Sequence, residues 1–219
     1  MLLTDTTLSR TAQSLQAPLW LVVIGANTGG PQALLELLPR FPADFPGSIV
    51  VMQQMRPGFT RVLVDQLSHV CKLPVHEPED GQALRSGRIL VAPSAMRLTI
   101  GSIDIEPLPD HSVLLESMGE SPVSRQTRID AAMASAAQAL GQRCIGVILS
   151  GLGSDGVEGM RAIRSAGGVT IAQDEASSVV HSMPSASIDA GVVGEVLPLW
   201  GIADRILSIV GGDAYAAAA

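Results

Sequence analysis

The apolar residues of the chain fall into short continuous runs, and these runs alternate with segments whose apolar positions recur every three or four residues. The continuous runs predict buried strands at 19–24, 48–52, 144–149 and 169–172. The three-to-four residue spacing predicts helices at 31–38, 59–70, 129–140, 157–166 and 199–210. Continuous apolar strands that alternate with helices are typical of an α/β domain with a doubly wound, mostly parallel sheet flanked by helices.

Residues 88–105 have a different pattern, in which apolar and polar positions alternate around Gly101-Ser102. This alternation predicts an antiparallel hairpin, turning at that dipeptide and added to the parallel sheet. Residues 1–17 are rich in Thr, Ser and Gln without a sustained apolar period, and we interpret them as a tail or linker remnant. The α/β domain is then expected over 18–210, with a C-terminal tail at 211–219.

Composition excludes several classes of function. Lys plus Arg is 14 and Asp plus Glu is 21, which gives a net charge of −7, and aromatic residues make up only 3%. An acidic chain of this kind is not expected to bind nucleic acid, and no apolar run reaches the ~20 residues that membrane insertion requires. Two cysteines do not form a disulfide framework, and the His and Cys residues lack the spacing of metal ligands. We therefore expect a cytoplasmic protein without a metal site.

Three glycine-containing loops each follow an apolar strand and precede a helix, namely 25–30, 53–58 and 150–156. Ligands of open α/β sheets bind outside the carboxyl ends of the strands, so these loops mark the candidate site. The first loop has the G-x-S-x-G spacing of a nucleophile elbow, but Asn27 occupies the hydroxyl position. Backbone N–H groups after Asn27 would still favour an oxyanion. The alternative is a plain glycine turn in which Asn27 caps the helix.

Several segments together resemble the catalytic domain of CheB-type protein-glutamate methylesterases, over about 19–210. They are IGANTGGPQALLELL, VVMQQMRPGFT, EDGQALRSGRILVAP, GVILSGLGSDGVEGMRAIRSAGG and TIAQDEASSVVHSMP. The resemblance implies a doubly wound fold and hydrolysis of glutamyl methyl esters on the cytoplasmic helices of chemoreceptors, without metal or cofactor. It also implies a receiver domain in front of the catalytic domain, and the sequence given does not contain one.

The resemblance assigns the catalytic positions one by one. The family's nucleophilic serine corresponds to Asn27, its histidine to Gln54 and its aspartate to Asp155. An amide is neither a nucleophile nor a base at neutral pH, so two of the three groups cannot perform their steps. The resemblance further implies a set of oxyanion and cleft residues, with Arg97 at another histidine position of the family: Thr28, Gly29, Gly30, Met55, Arg56, Arg97, Ser150 and Leu152.

Three functions remain open at this point. The first is a CheB-like domain of a chemosensory pathway that is catalytically impaired and acts by binding or regulation, on methyl-accepting chemoreceptor helices or another chemosensory protein. The second is an active ester hydrolase with relocated chemistry, using Thr28, Ser154 or the pair His181 and Ser182. The third is an α/β module that binds a small molecule or nucleotide in the cleft.

Overall fold

A computed structural model describes residues 20–103, 110–117 and 127–211. The strands of these ranges are Trp20–Ala26 (β1), Gly47–Gln53 (β2), Val75–His76 (β3), Arg88–Val91 (β4), Met96–Ile103 (β5), Asp110–Ser117 (β6), Cys144–Ile148 (β7), Val169–Gln173 (β8) and Glu195–Leu197 (β9). The α-helices are Gly30–Leu37 (α1), Thr60–Val70 (α2), Arg128–Leu140 (α3), Val157–Ser165 (α4), Ser182–Asp189 (α5) and Leu199–Gly211 (α6). Short 3₁₀ turns follow α1 at Leu38–Arg40 and α3 at Gly141–Arg143.

Seven strands form one sheet in the order β3-β4-β2-β1-β7-β8-β9. Every pair of neighbours in this sheet is parallel. The chain builds outward from β1 through β2 to β4, then returns to place β7 on the other side of β1. The strand order therefore reverses between β1 and β7, and such switch points are where open α/β sheets form their ligand crevice.

Each face of the sheet carries its own apolar core. Alternate residues of β1 point to opposite faces, so Val22 and Ile24 join one cluster while Leu21 and Val23 join the other. Helices α1, α2 and α6 cover the first face, and helices α3 and α4 cover the second. The doubly wound, mostly parallel architecture expected from the sequence is confirmed.

The antiparallel hairpin is present, but its predicted turn at Gly101-Ser102 is wrong. Gly101 pairs with Ser112 and Ser102 pairs with His111 inside a separate two-stranded sheet of β5 and β6. Gly101 reflects close cross-strand packing instead of a turn, since a Cβ there would lie 2.6 Å from Leu114 Cδ1. The connection at 104–109 lies outside the described residues. The hairpin packs on α3, where the Ser135 hydroxyl accepts a 2.9 Å hydrogen bond from Ile100 N–H.

The predicted tails fall almost entirely outside the described residues, apart from Gly211, which ends α6. Within the described ranges, none of the helices combines the length and apolar character that crossing a membrane requires.

Candidate active site

Asn27 and Gln54 each stand directly after a central strand of the sheet. The strands β1 and β2 pair in register up to Ala26 and Gln53, so both loops leave the sheet side by side. Backbone bonds hold this arrangement, because Gln54 N–H donates to Ala26 O at 2.8 Å and Asn27 N–H donates to Ser150 O at 3.1 Å. The switch point thus brings the β1, β2 and β7 loops to one place.

The structure brings together the side chains of Asn27, Gln54 and Asp155. Asn27 Nδ2 donates to Gln54 Oε1 at 2.9 Å, and Gln54 Nε2 donates to Asp155 Oδ2 at 2.5 Å. The second Nδ2 hydrogen of Asn27 goes to the backbone carbonyl of Leu152 at 3.1 Å. Two amides and a carboxylate therefore form one continuous chain of hydrogen bonds.

The ionised carboxylate sets the direction of this chain. A carboxylate only accepts hydrogen bonds, so the NH₂ end of Gln54 must face Asp155. The oxygen end of Gln54 then faces Asn27, whose Nδ2 supplies the donor that this oxygen requires. Turning either amide over would bring two oxygens or two NH₂ groups together. Turning Asn27 over would also place its Oδ1 against the carbonyl oxygen of Leu152.

Asp155 lies in a buried setting and is only 8% exposed. Its Oδ2 accepts Ile129 N–H at 3.1 Å and its Oδ1 accepts Asp130 N–H at 3.0 Å, both from the first turn of α3. Burial raises the pKa of Asp155 to about 6, and the neighbouring charge of Asp130 adds to this, while the N–H bonds from Asp130, Ile129 and Gln54 oppose it. The carboxylate therefore serves as an N-terminal partner of α3 as well as the end of the amide chain.

Asp130 mirrors this arrangement at the next helix. Its Oδ1 accepts Gly156 N–H at 2.9 Å and Gly159 N–H at 2.8 Å, at the start of α4. Asp155, in the loop before α4, thus caps α3, and Asp130, in the first turn of α3, caps α4. This reciprocal cap holds the two helix starts together and places the Asp155 loop.

Arg128 fixes the start of α3 from the other side. It is 3% exposed, and it donates to Met96 O at 2.9 Å and to Pro93 O at 2.7 Å. Burial lowers the pKa of Arg128, while the nearby negative charge of Asp155 acts in the opposite direction.

Two buried glutamines that the sequence analysis did not single out anchor the loops after β1, β2 and β7 by hydrogen bonds. Gln53 is 2% exposed, and its Nε2 donates to Asn27 O at 2.9 Å and to Gln54 O at 2.8 Å. Gln173 accepts Ser150 N–H at 2.8 Å and donates to Ser177 O at 2.8 Å. Each is the last residue of a mostly apolar strand, and an amide at that position is the sequence signal that would have revealed them.

The glycines of the first loop have separate roles. Gly29 is the N-cap of α1 with φ of 81°, so the alternative in which Asn27 caps this helix is wrong. Gly30 begins α1 against Gln53, where a Cβ would lie 2.0 Å from Gln53 Oε1. Thr28 is exposed, and its hydroxyl donates to Asn27 Oδ1 at 3.3 Å.

The remaining expected cleft residues divide between rim and interior. Leu152 is 66% exposed, and Met55 and Arg56 follow Gln54, with Arg56 exposed. Ser150 is buried, and its hydroxyl ties two loops together by donating to Thr28 O at 2.8 Å and accepting Val180 N–H at 2.9 Å. Arg97 lies on β5 and reaches Thr127 Oγ1 at 3.5 Å.

The candidate substitutes His181 and Ser182 lie where α5 begins. The Ser182 hydroxyl donates to Gly153 O and accepts Gly153 N–H, both at 3.2 Å, so it is bonded to the backbone of the Asp155 loop. His181 Nε2 is buried with no hydrogen-bond partner among the described residues. Ser154 is exposed in the same loop.

The amide chain has limited chemical capacity. The nitrogen of a primary amide is not nucleophilic and its oxygen is not basic, so Asn27 cannot attack an ester and Gln54 cannot carry a proton. What the arrangement can do is hold the loops rigid and present polar atoms to a ligand. Across the parts of the chain that the structure describes, no three His, Cys, Asp or Glu side chains group together as metal ligands.

Comparison with known proteins agrees with the fold. The family model described as CheB methylesterase matches residues 22–206. The chain is similar to protein-glutamate methylesterase/protein-glutamine glutaminase 1 of Carboxydothermus hydrogenoformans, with 45% identity over 190 residues that cover 85% of this chain and 54% of the relative. It is also similar to the protein-glutamate methylesterase/protein-glutamine glutaminase of Pyrococcus horikoshii, with 38% identity over 189 residues, 86% of this chain and 50% of the relative. The chain thus spans about half the length of the curated relatives it matches.

A solved structure of another protein has the same fold. The CheB methylesterase catalytic domain of Thermotoga maritima superposes with a TM-score of 0.81 at 32% identity, covering 87% of this chain and 98% of that domain. On the family match, the sequence identities and this superposition, the chain belongs to the CheB methylesterase family.

Proposed function

We propose that this chain is a CheB-type domain with impaired ester hydrolysis that acts by binding or regulation in a chemosensory pathway. Its partners would be the cytoplasmic helices of methyl-accepting chemoreceptors or another chemosensory protein, and it would work in the cytoplasm. Membership of the CheB methylesterase family and similarity to protein-glutamate methylesterases support the chemosensory setting. The amides Asn27 and Gln54 in the cleft support the impairment of ester hydrolysis.

The observation that carries the proposal is the hydrogen-bond chain from Asn27 through Gln54 to Asp155. An acyl-transfer site needs a hydroxyl or thiol bonded to a base at this place, and this cleft has two amides there. Loss of the nucleophile or the base of such a triad costs roughly 10⁶-fold in turnover, and loss of both costs little more because they act as a unit. The residual rate that oxyanion binding supports is about 10³–10⁴ over water.

The direct test is methanol release from a methyl-esterified cytoplasmic fragment of a chemoreceptor. We expect release no faster than the residual rate that oxyanion binding supports, about 10³–10⁴ over water. The matched variant combines Asn27→Ser with Gln54→His. A primary amide and an imidazole each place two hydrogen-bonding atoms in one rigid plane. A histidine at 54 can therefore bridge residue 27 and Asp155 as Gln54 does.

We expect the double variant to release methanol at a measurable rate, and each single variant to remain inactive. Robust hydrolysis by the unchanged chain would contradict the proposal. A reactive fluorophosphonate, with its adduct mapped by mass spectrometry, then identifies the nucleophile. An adduct on Thr28, Ser154 or Ser182 would establish the relocated hydrolase in place of the proposed function.

A further inference from the structure

The edge of the large sheet at which its strands begin carries cations that are far apart in the sequence. Lys72 lies in the connection into β3, Arg85 in the connection into β4 and Arg143 in the turn directly before β7. Arg88 is the first residue of β4. Because every strand of this sheet is parallel to its neighbours, all strands begin at one edge, and the fold gathers the four cations there. We call these four residues the basic edge.

Backbone hydrogen bonds join the connections along this edge. Ile89 N–H donates to Pro74 O at 3.0 Å, which ties the start of β4 to the connection that holds Lys72. Gly87 N–H donates to Gly47 O at 2.8 Å, which ties the same start to β2. The strands β2 and β1 separate β4 from β7, so about 14 Å lies between β4 and β7. The four cations therefore lie along one side of the molecule, within the reach of a single extended segment.

The cations of the basic edge have no carboxylate partners within the described ranges of the chain. Lys72, Arg85 and Arg143 are exposed. Arg88 is half-buried, and its Nε is buried without a hydrogen-bond partner. Both ion pairs that the described residues form involve other arginines.

Acids are scarce at the same edge. Among the described residues in the four positions before each strand of the large sheet, Asp44 is the one acid. Glu195 begins β9, but its carboxylate is paired with Arg205 at 2.7 Å. The basic edge is thus positive although the whole chain has a net charge of −7.

We propose that the basic edge binds an acidic segment of another protein, at the opposite side of the sheet from the crevice. The negative charge of the rest of the chain repels such a partner, so that the unpaired cations direct it to this edge. Glutamates at every second position of an extended segment lie about 7 Å apart, which suits cations spread over about 14 Å. A DNA duplex carries one charge per ~1.7 Å and would need cations much closer together. A partner bound here leaves Asn27 and Gln54 uncovered.

The test is an NMR titration of the ¹⁵N-labelled full chain with octaglutamate. The backbone N–H signals of Lys72, Arg85 and Arg143 report binding at the basic edge, and that of Asn27 reports the crevice. A salt concentration of about 0.1 M limits the interaction to charges within about 10 Å. A DNA duplex and vesicles of phosphatidylcholine with phosphatidylglycerol are titrated in the same way, as the two other kinds of polyanion.

We expect octaglutamate to shift the three edge signals and to leave that of Asn27 in place. Arg85→Glu and Arg143→Glu should each weaken its binding by about fivefold. The matched control Arg61→Glu makes the same charge change at an exposed position of α2, and it should keep the affinity of the unchanged chain. The proposal is overturned if the edge signals do not shift at millimolar octaglutamate, or if Arg61→Glu weakens binding as much as the edge variants. Tighter binding of the duplex or the vesicles than of octaglutamate would also overturn it.

Discussion

Replacing Asp155 with asparagine removes a carboxyl group whose proton the folded state holds more tightly than the unfolded chain does. The pKa of Asp155 is about 6 in the folded protein because the group is buried, against an ordinary value of 3.8. The ionised group therefore favours unfolding above pH 6, and this disadvantage disappears as the pH falls towards 3.8. Between the fully ionised and the fully protonated form of Asp155, its contribution to the free energy of unfolding changes by about 3 kcal/mol.

Between pH 7 and pH 5 the same two pKa values predict that proton binding by Asp155 increases the free energy of unfolding by roughly 1 kcal/mol. In Asp155→Asn the group at 155 no longer titrates, so the contributions of other groups cancel in the comparison. We expect the free energy of unfolding of the unchanged protein, relative to Asp155→Asn, to increase by that amount on acidification. Urea unfolding at both pH values and constant ionic strength measures it.

The exposed carboxyl Asp44 provides a matched control in Asp44→Asn, measured in the same way. If the stability difference between the unchanged protein and Asp155→Asn is the same at both pH values, burial does not govern this carboxyl. If acidification favours Asp155→Asn, the three N–H donors outweigh the burial and the reasoning fails.

Three further substitutions test the supports of the site by urea unfolding. Gly30→Ala places a Cβ against Gln53 and should destabilise the protein by about 1–3 kcal/mol. An unchanged free energy of unfolding would mean that the Gln53 side chain can move aside. Gln53→Met leaves the carbonyls of Asn27 and Gln54 without their donor and should lower the free energy of unfolding by about 1–3 kcal/mol. A neutral effect would show that water replaces the amide. Arg128→Met removes charged donors from two carbonyls and should cost about 2–4 kcal/mol, whereas a stabilised variant would show that desolvation of the guanidinium dominates.

The longer elements of the fold could be predicted because their patterns are strong. The apolar runs that became β1, β2, β7 and β8 are buried on both faces, and no amphipathic helix has that pattern. The short edge strands Val75–His76 and Glu195–Leu197 carry too few residues for a pattern, and they are strands because β4 and β8 offer them a free edge. Helix Ser182–Asp189 escaped prediction because its sequence, SMPSASID, has small and polar residues where an apolar stripe would stand.

Three residues of the site, Asn27, Gln54 and Asp155, could be predicted, whereas the supporting glutamines Gln53 and Gln173 and the hydrogen bonds of the site could not. Loop position after parallel strands brought Asn27, Gln54 and Asp155 into one crevice before any distance was known. The direction of the amide chain depends on the contact between Gln54 and the Asp155 carboxylate, which only accepts hydrogen bonds, and no local sequence pattern contains that tertiary contact. The spacing at 88–105 misled because a glycine in a strand and a glycine in a turn look alike in sequence.

The reciprocal cap between Asp155 and Asp130 has a consequence for how chains of this fold are sorted into enzymes and non-enzymes. In this structure Asp155 takes part in joining two helix starts although two amides stand beside it, so the presence of the acid does not by itself identify a working hydrolase. Positions 27 and 54 carry that information, because their side chains bond mainly to each other and to the acid. A survey of genomes for working esterases of this type should therefore screen those two positions and disregard the third.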